Sequence, residues 1–319
     1  MALPTWQIPF VVISFISMIL YITIVFLIIW KRKTVQALNS SYFKLVISQA
    51  IAEWIMFAEF LILYRGRKYG YLDGWFKEKS AAWDYVPRFS TFIHYYLKIA
   101  IYFGQVYFAA NRLSAVFRVT NYESIWTSKK IWVLRALQYL IPLTVTIPIA
   151  FNYNFIIVYE YNVTQQALRL IQDSVSTNIV AYIDGAFSLT ASILCTILYS
   201  VTLLKCSQDM VKYGINKKKL IELRLLICGL VVFLILILNT AKQVMTCVGT
   251  LFDGNNIVLL SYDLSYPLID LFYCVTPWAL LFSSTAIQEV LFPCFVPKIE
   301  PQSVQLFTTT SGPTLIKQL

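Results

Sequence analysis

The sequence predicts an all-α membrane protein built as a bundle of seven transmembrane helices. Apolar residues make up 58% of the 319 residues, charged residues make up only 13%, and the mean hydropathy is +0.66. A soluble domain carries roughly 25% charged residues. Seven segments each hold about 20 mostly apolar residues, which is the length of a helix that crosses a bilayer core. The sequence lacks the alternating pattern of a membrane β-barrel, and backbone surrounded by lipid must then be helical.

The first three spans are predicted at residues 8–30, 43–64 and 89–110. The first span contains no charged residue, and no basic segment precedes it. It is also longer than the apolar part of a signal peptide, so we expect an uncleaved membrane anchor. The second span contains Glu53 and Glu59, and the third contains His94 and Lys98.

The other four spans are predicted at residues 131–151, 178–204, 225–251 and 257–284. The fifth span contains Asp184, the sixth contains Lys242 and the seventh contains Asp270. Prolines inside the fourth and seventh spans predict kinked helices. The chain is therefore expected to form one seven-helix domain over residues 1–284, followed by an irregular tail at residues 285–319.

Basic residues in the connecting segments predict the orientation of the bundle. With the amino terminus outside, 17 Lys and Arg residues fall on the inner side and 7 on the outer side. Cytoplasmic segments of membrane proteins carry such an excess, so the tail is predicted to be cytoplasmic. Six of the outer basic residues lie together in the first outer loop, against this trend. Membrane lipid, rather than nucleic acid, explains the net charge of +10.

Ionisable side chains within the spans are the candidate ligand-binding residues. Each would cost roughly 2.5–3.5 kcal/mol if it faced lipid, so we expect them to face the interior of the bundle. Five of them lie at a similar depth in the outer half, which predicts a solvent-reachable cavity for a small-molecule chemical ligand. These five are Glu59, His94, Lys98, Asp184 and Lys242. The alternative interpretation is that they only pair with one another and fix the packing of the helices.

Two further acids, Glu53 and Asp270, are predicted nearer the midplane of the membrane. Few basic residues are expected near them, so they predict a hydrated polar network in the core that binds an ion or a proton. At the inner end of the third span, Asn111 precedes Arg112. We hypothesise that Arg112 pairs with Glu222, at the start of the sixth span, in the resting state. The alternative is that Arg112 extends to the membrane interface.

The connecting segments predict two modifications. Asn162 opens an Asn-Val-Thr acceptor sequence in the second outer loop and is a candidate for glycosylation, whereas the acceptor sequence at Asn39 lies on the inner side. Cys294 follows the last span and is a candidate for palmitoylation. Metal-ligand spacings, a phosphate-binding loop and a catalytic constellation are absent from the sequence, so neither a metal nor another cofactor is expected, and the protein is not expected to be an enzyme.

Three stretches of sequence carry a resemblance to a known family. They are NRLSAVF followed by NYESIW after the third span, ELRLL at the start of the sixth, and YPLIDLFYCVTPWALLFSS through the seventh. The chain resembles the nematode serpentine chemoreceptors, best those of class gamma, with class v closely allied. The resemblance implies a bundle of the G-protein-coupled-receptor type in the plasma membrane and a chemosensory role. It also implies a heterotrimeric G protein as partner, coupled through Asn111, Arg112 and Glu222.

Two other classes of membrane protein remain open at this point. A secondary transporter would use the intramembrane charges as a relay, but such proteins usually contain an internal repeat, which the sequence lacks. A ligand-gated channel similar to insect odorant receptors would have its amino terminus inside, which the distribution of basic residues disfavours. The chain also differs from rhodopsin-like receptors, since Thr276-Pro277-Trp278 stands where Asn-Pro-x-x-Tyr would be expected.

Overall fold

The computed structural model describes residues 3–71, 85–117, 122–162, 167–213, 217–252 and 255–293. Within these ranges the chain forms seven long helices, one short terminal helix and one β-hairpin. The helices are α1 (Ile8–Lys31), α2 (Ser41–Glu59), α3 (Tyr85–Phe117), α4 (Ser128–Phe151), α5 (Ser174–Tyr213), α6 (Lys217–Leu251), α7 (Asn255–Ser283) and α8 (Thr285–Leu291). The strands are β1 (Ile157–Asn162) and β2 (Ala167–Gln172). Short helical segments, which we leave unlabelled, lie at Thr5–Gln7, Gln36–Asn39 and Tyr122–Ile125.

The seven predicted spans each fall on one of the seven long helices. The last helix ends at Ser283 because Ser284 caps the next one, accepting a hydrogen bond from the backbone N–H of Ile287 at 3.3 Å. Residues 285–291 are therefore helical, whereas an irregular tail was expected from residue 285 onward. A serine at this position satisfies one of the free N–H groups at the start of a helix.

Helix α3 runs through the centre of the bundle. It packs against α2, α4, α5 and α6, while α7 closes the ring between α6 and α1. Among the described residues, six helices are apolar and long enough to cross a membrane, and α3 is not one of them. It carries buried polar side chains such as His94, Lys98 and Gln105. A helix surrounded by other helices can be more polar, because little of its surface meets lipid.

The outer surface of the bundle is apolar. On α1, for example, Ile16, Ile19 and Phe26 are exposed, whereas Ser14 and Ser17 are buried against the neighbouring helices. This arrangement is the reverse of a soluble protein, because lipid rather than water surrounds the helices. The fold is therefore a multi-pass membrane bundle that keeps its polar side chains inside.

The β-hairpin lies between α4 and α5, at the end of the bundle where α2 ends and α3 begins. We call this end the hairpin face and the other end the opposite face. Ile157 of β1 is buried together with Ile149 and Val180 of the adjoining helices. Asp173, between β2 and α5, accepts hydrogen bonds from the backbone N–H groups of Ile156 and Ser176. The Ser176 hydroxyl donates to the backbone carbonyl of Asp173 at 3.1 Å. Hydrogen bonding by Ser176 is the main cause that holds the pKa of Asp173 below its usual value.

Candidate functional site

A buried ion pair joins α3 to α5 in the half of the bundle nearest the hairpin face. The Lys98 ammonium bonds to Asp184 Oδ2, and the two side chains are 7% and 1% exposed. Tyr102 donates its hydroxyl to Asp184 Oδ1 at 2.9 Å, and Asn239 of α6 donates to the Tyr102 oxygen at 2.8 Å. These bonds connect three helices, so a ligand that displaces Asp184 also alters the attachment of α6.

A second polar contact joins α2 to α3, one helical turn away. His94 Nδ1 lies 3.0 Å from Glu59 Oε2, and Ser90 donates to Glu59 Oε1 at 3.2 Å. The ring of Tyr64 stacks on His94, with 4.3 Å between ring centroids. Because residues four apart share a helix face, His94 and Lys98 bring the two polar contacts side by side along α3.

Lys242 of α6 is the fifth of the residues that the sequence predicts to bind a ligand. It is 8% exposed, and its ammonium donates to Gln243 Oε1 at 3.1 Å. It also lies within electrostatic range of Lys98 and Asp184. All five residues predicted to bind a ligand are therefore buried in the hairpin half of the bundle, in two neighbouring clusters; their role in ligand binding stays a prediction.

A clamp between α2 and α7 was not anticipated from the sequence. Arg65 donates to both oxygens of Asp270, at 3.0 and 2.7 Å, and the two side chains are 4% and 1% exposed. Its guanidinium also lies over the rings of Phe60 and Tyr266, 5.3 and 5.6 Å from their centroids. The expectation that few bases lie near Asp270 was wrong, since Arg65 belongs to the helix rather than to the first outer loop.

The backbone explains how Arg65 reaches the interior. After Glu59, helix α2 continues through Phe60–Gly66 as a π-helix, which has i→i+5 hydrogen bonds in place of the usual i→i+4. The wider turn rotates the following side chains relative to those of a continuous α-helix. The apolar run of the second span ends at residue 64, so the sequence analysis placed Arg65 and Arg67 in the first outer loop, although both are buried.

Glu53 belongs to a different cluster from Asp270. Gln49 donates to Glu53 Oε1 at 2.9 Å, and Gln138 of α4 donates to Gln49 Oε1 at 3.1 Å. A side chain added at Gly104 of α3 would collide with Gln49, so the three helices approach closely at this point. Among the described residues, no hydrogen bond joins Glu53 to Asp270. The expected single core network is therefore two separate ones, an amide-lined cluster and an arginine clamp.

A small cavity adjoins Lys98 between the helices. Its volume is about 30 Å³, which is enough for water but far below the roughly 300 Å³ of a typical ligand pocket. The polar wall consists of Lys98, Tyr102 and Asn239. The apolar wall consists of Met56, Ile101, Leu268, Ile269, Phe272 and Tyr273. A cavity of this volume can hold an organic ligand only after the helices that line it move apart.

The hairpin is attached over the hairpin-face side of this region. Arg67, at the end of α2, donates to the carbonyl of Leu168 in β2 at 2.9 Å. Arg88 of α3 donates to the carbonyl of Phe155 at 2.7 Å. Tyr159 of β1 lies 5.2 Å from the Arg67 guanidinium and within electrostatic range of Glu59. Basic side chains from two helices thus hold the hairpin and the segment just before it at this face.

At the opposite face, Asn111 and Arg112 are packed closely rather than solvated. Asn111 donates to the Tyr122 hydroxyl at 2.9 Å and to Ser41 Oγ at 3.3 Å. Arg112 donates to Asn111 Oδ1 at 2.9 Å, and its guanidinium lies 4.1 Å from the centroid of the Tyr42 ring. Arg112 is 4% exposed, so it does not extend to the membrane interface. Tyr122 comes from the NYESIW stretch, which thereby closes this face.

For three predicted residues the structure describes no side chain. The side chains of Asn162 and Glu222 are outside the described part of the chain, and Cys294 follows its last described residue. The predicted contact between Arg112 and Glu222, the glycosylation of Asn162 and the palmitoylation of Cys294 therefore stay predictions.

Seven long helices around a central α3, with buried charges toward one face and a closed Asn-Arg cluster at the other, define a seven-transmembrane protein of the G-protein-coupled-receptor type. The comparison with known families agrees with this class. The model of the serpentine type seven-transmembrane chemoreceptor Srv matches residues 10–294. The chain belongs to this family. No curated protein matches it.

Class v is the allied class that the sequence analysis named beside class gamma. Membership makes the protein a multi-pass membrane protein of a chemosensory receptor family, which is a class of receptors rather than of enzymes. The match begins within α1, includes the other six long helices and the short helix α8, and leaves residues 295–319 outside.

Proposed function

We propose that the protein is a chemosensory receptor of the plasma membrane that binds a small extracellular chemical and signals through a heterotrimeric G protein. The observation that carries this proposal is the separation of two polar regions along one bundle. A buried ion pair, Lys98 with Asp184, adjoins a small cavity in the hairpin half of the bundle, and the Asn111–Arg112 cluster lies at the opposite face. Membership of a chemoreceptor family supports the same function.

We further propose that the hairpin face is extracellular and that the tail is cytoplasmic. The excess of basic residues on the opposite side supports this orientation. The six basic residues of the first outer loop were the main objection. Arg65 and Arg67 are buried within the bundle, and Arg88 holds the hairpin. These three act in packing, so the objection is much weaker than the sequence indicated.

In the proposed mechanism, the ligand shifts an equilibrium between a contracted and an expanded bundle. A polar ligand group that bonds to Lys98 or Asp184 competes with the bond from Tyr102, which in turn holds Asn239 of α6. Movement of α6 would then open the packing around Arg112 at the opposite face for the G protein. For this shift to occur, the ligand only has to bind the expanded state more tightly than the contracted state.

The test combines orientation with coupling. Cells that express the receptor with an amino-terminal epitope are stained without permeabilisation, and recruitment of a miniature G protein is followed during a chemical screen. We expect an exposed epitope and ligand-dependent recruitment that Arg112→Ala abolishes. Lys130→Ala is the matched control, because Lys130 is an exposed cation on the same face.

Two outcomes contradict the proposal. A hidden epitope would reverse the orientation and favour the ligand-gated channel. Unchanged recruitment in Arg112→Ala, with normal surface expression, would remove the coupling role of the Asn-Arg cluster.

A further inference from the structure

The buried charges near the hairpin face are unequal in number. Among the described residues of this region, and leaving aside Glu53, which bonds to Gln49 in the separate amide-lined cluster, three buried carboxylates accompany four buried Lys or Arg side chains. Each carboxylate already bonds to a basic side chain. The bonded pairs are Asp270 with Arg65, Asp184 with Lys98, and Glu59 with His94. Two cations, Arg67 and Lys242, therefore have no carboxylate of their own.

In place of a carboxylate, the two cations have different hydrogen-bond acceptors and neighbours. Arg67 donates to the carbonyl of Leu168 at 2.9 Å and lies 5.2 Å from the centroid of the Tyr159 ring. Its charge also interacts with that of Glu59. Lys242 has a single amide acceptor, Gln243 Oε1, at 3.1 Å. Within the described part of the chain, no carboxylate lies within 4.0 Å of the Lys242 ammonium.

A buried ammonium without a counter-ion is unfavourable, because burial removes its hydration and one amide oxygen replaces only part of it. Lys98 lies within electrostatic range and adds a second positive charge, which Asp184 alone cannot balance for both lysines. An anionic group placed between the two lysines would supply the missing charge and accept several charge-assisted hydrogen bonds.

The cavity beside Lys98 indicates the polarity and the size of the rest of such a ligand. Its polar wall meets an apolar wall from α2, α3 and α7, including Met56, Leu268 and Phe272. A ligand that matches both walls has an acidic group at one end and a short apolar body. We propose that the ligand of this receptor is a small organic acid whose carboxylate bonds to Lys242 next to the Lys98–Asp184 pair. This inference rests on the proposed chemosensory function and names the chemical class of its ligand.

The experiment uses the full-length receptor and a panel of matched probes. Straight-chain carboxylates of four to ten carbons and benzoate are compared with the amides and primary amines of the same skeletons. Binding to the detergent-purified receptor is measured as a shift in its thermal unfolding midpoint. Recruitment of a miniature G protein is measured in cells with the same probes.

Three variants make the test specific to Lys242. Lys242→Gln keeps a polar side chain without charge, and we expect the affinity for the active acids to fall roughly tenfold to a hundredfold, as for loss of a charged hydrogen bond. Lys242→Glu reverses the charge, and we expect it to lose the response to acids and gain one to the matching amines. Lys68→Gln is the control, because Lys68 is a partly exposed lysine that already pairs with Asp263, and it should respond to acids as the unmodified receptor does.

The outcomes separate this inference from the proposed function. A response to acids that Lys242→Gln weakens and Lys68→Gln retains supports the inference. A response confined to amides or amines, or a response to acids that Lys242→Gln leaves unchanged, overturns it while the receptor function stands. A panel without binding or recruitment by any class of probe overturns both. Surface staining and the unfolding midpoint without probe confirm that each variant is folded.

Discussion

At the scale of single residues, Asp184 is the acid on which two lysines depend. It bonds to Lys98 directly and lies within electrostatic range of Lys242, so its charge offsets both. Tyr102 donates to its second oxygen. Breaking a buried ion pair by removal of one partner leaves the other charge uncompensated, which typically costs about 3–5 kcal/mol.

This arrangement predicts unequal effects for the two partners of the pair. Asp184→Asn should lower the free energy of unfolding by about 3–5 kcal/mol, because it leaves both lysines without a carboxylate. Lys98→Met should cost less, because Lys242 remains close to Asp184 and can replace the lost ammonium. The midpoints of thermal unfolding of the purified variants in detergent measure the difference.

The double variant Lys98→Met/Asp184→Leu is the control for the pair itself. It removes both charges, so its unfolding midpoint should lie above that of Asp184→Asn, although Lys242 then lacks a nearby acid. Equal midpoints for the two single variants, or a lower one for Lys98→Met, would contradict the dependence of Lys242 on Asp184.

Residue identity and depth allowed much of the candidate site to be predicted from the sequence. The cost of a charge in lipid requires Glu59, Asp184 and Lys242 to face inward whatever the details of packing. The partners of these side chains were harder to predict, because a hydrogen bond depends on helix rotation to within part of a turn. Arg65 is the clearest example, since its pairing with Asp270 depends on the π-helical turn.

At the scale of the elements, the clamp between α2 and α7 is expected to stabilise the bundle through the geometry of its hydrogen bonds as well as through charge. Arg65 forms two parallel hydrogen bonds with Asp270, which lysine cannot reproduce. Arg65→Lys should therefore lower the free energy of unfolding by about 1.5–3 kcal/mol although the charge is kept. The unfolding midpoint in detergent measures this loss.

The matched control is Arg32→Lys, which makes the same exchange at an exposed arginine just after α1. This variant should unfold like the unmodified receptor. If Arg65→Lys were equally neutral, the two-bond geometry of the clamp would not contribute to stability.

Helix positions were predicted well, because runs of about 20 apolar residues must be helical in lipid. The hairpin was not predicted. Its strands are six residues each, and they depend on contacts such as the burial of Ile157 with Ile149, which have no periodic signal in the sequence. Helix α8 was also missed, since its start depends on a single capping serine, Ser284.

At the scale of the whole molecule, the proposed orientation predicts where the chain is glycosylated. Asn162, at the end of β1, should be accessible to glycosylation if the hairpin face is extracellular, whereas Asn39 lies at the opposite face. Treatment with a glycosidase should increase the electrophoretic mobility of the receptor made in animal cells. Asn162→Gln should abolish that change, and Asn39→Gln should retain it.

Because the two acceptor sites, Asn162 and Asn39, lie at opposite faces of the bundle, the result decides between the two orientations. Loss of the mobility change in Asn39→Gln instead would invert the bundle in the membrane. A receptor without any mobility change would contradict the prediction for Asn162.

The number of spans was accessible from the sequence because it follows from apolar length summed over many residues. The proposed orientation uses a similar sum, the distribution of Lys and Arg over the connecting segments, and the glycosylation experiment tests it. The contraction of the cavity beside Lys98 was not accessible. It depends on the distances between α3, α6 and α7, which are set by side chains such as Phe272 and Tyr273 packing together.

The attachment of the hairpin of β1 and β2 has a consequence for the timing of the proposed response. Arg67 holds β2 and Arg88 holds the segment before β1, so in the proposed receptor a chemical that enters from this side would have to wait for the hairpin to move. The observed binding rate would then level off at the opening rate as concentration rises, and a bound molecule would leave slowly. A cell with such a receptor would average its surroundings over the lifetime of the closed state and would respond little to brief pulses.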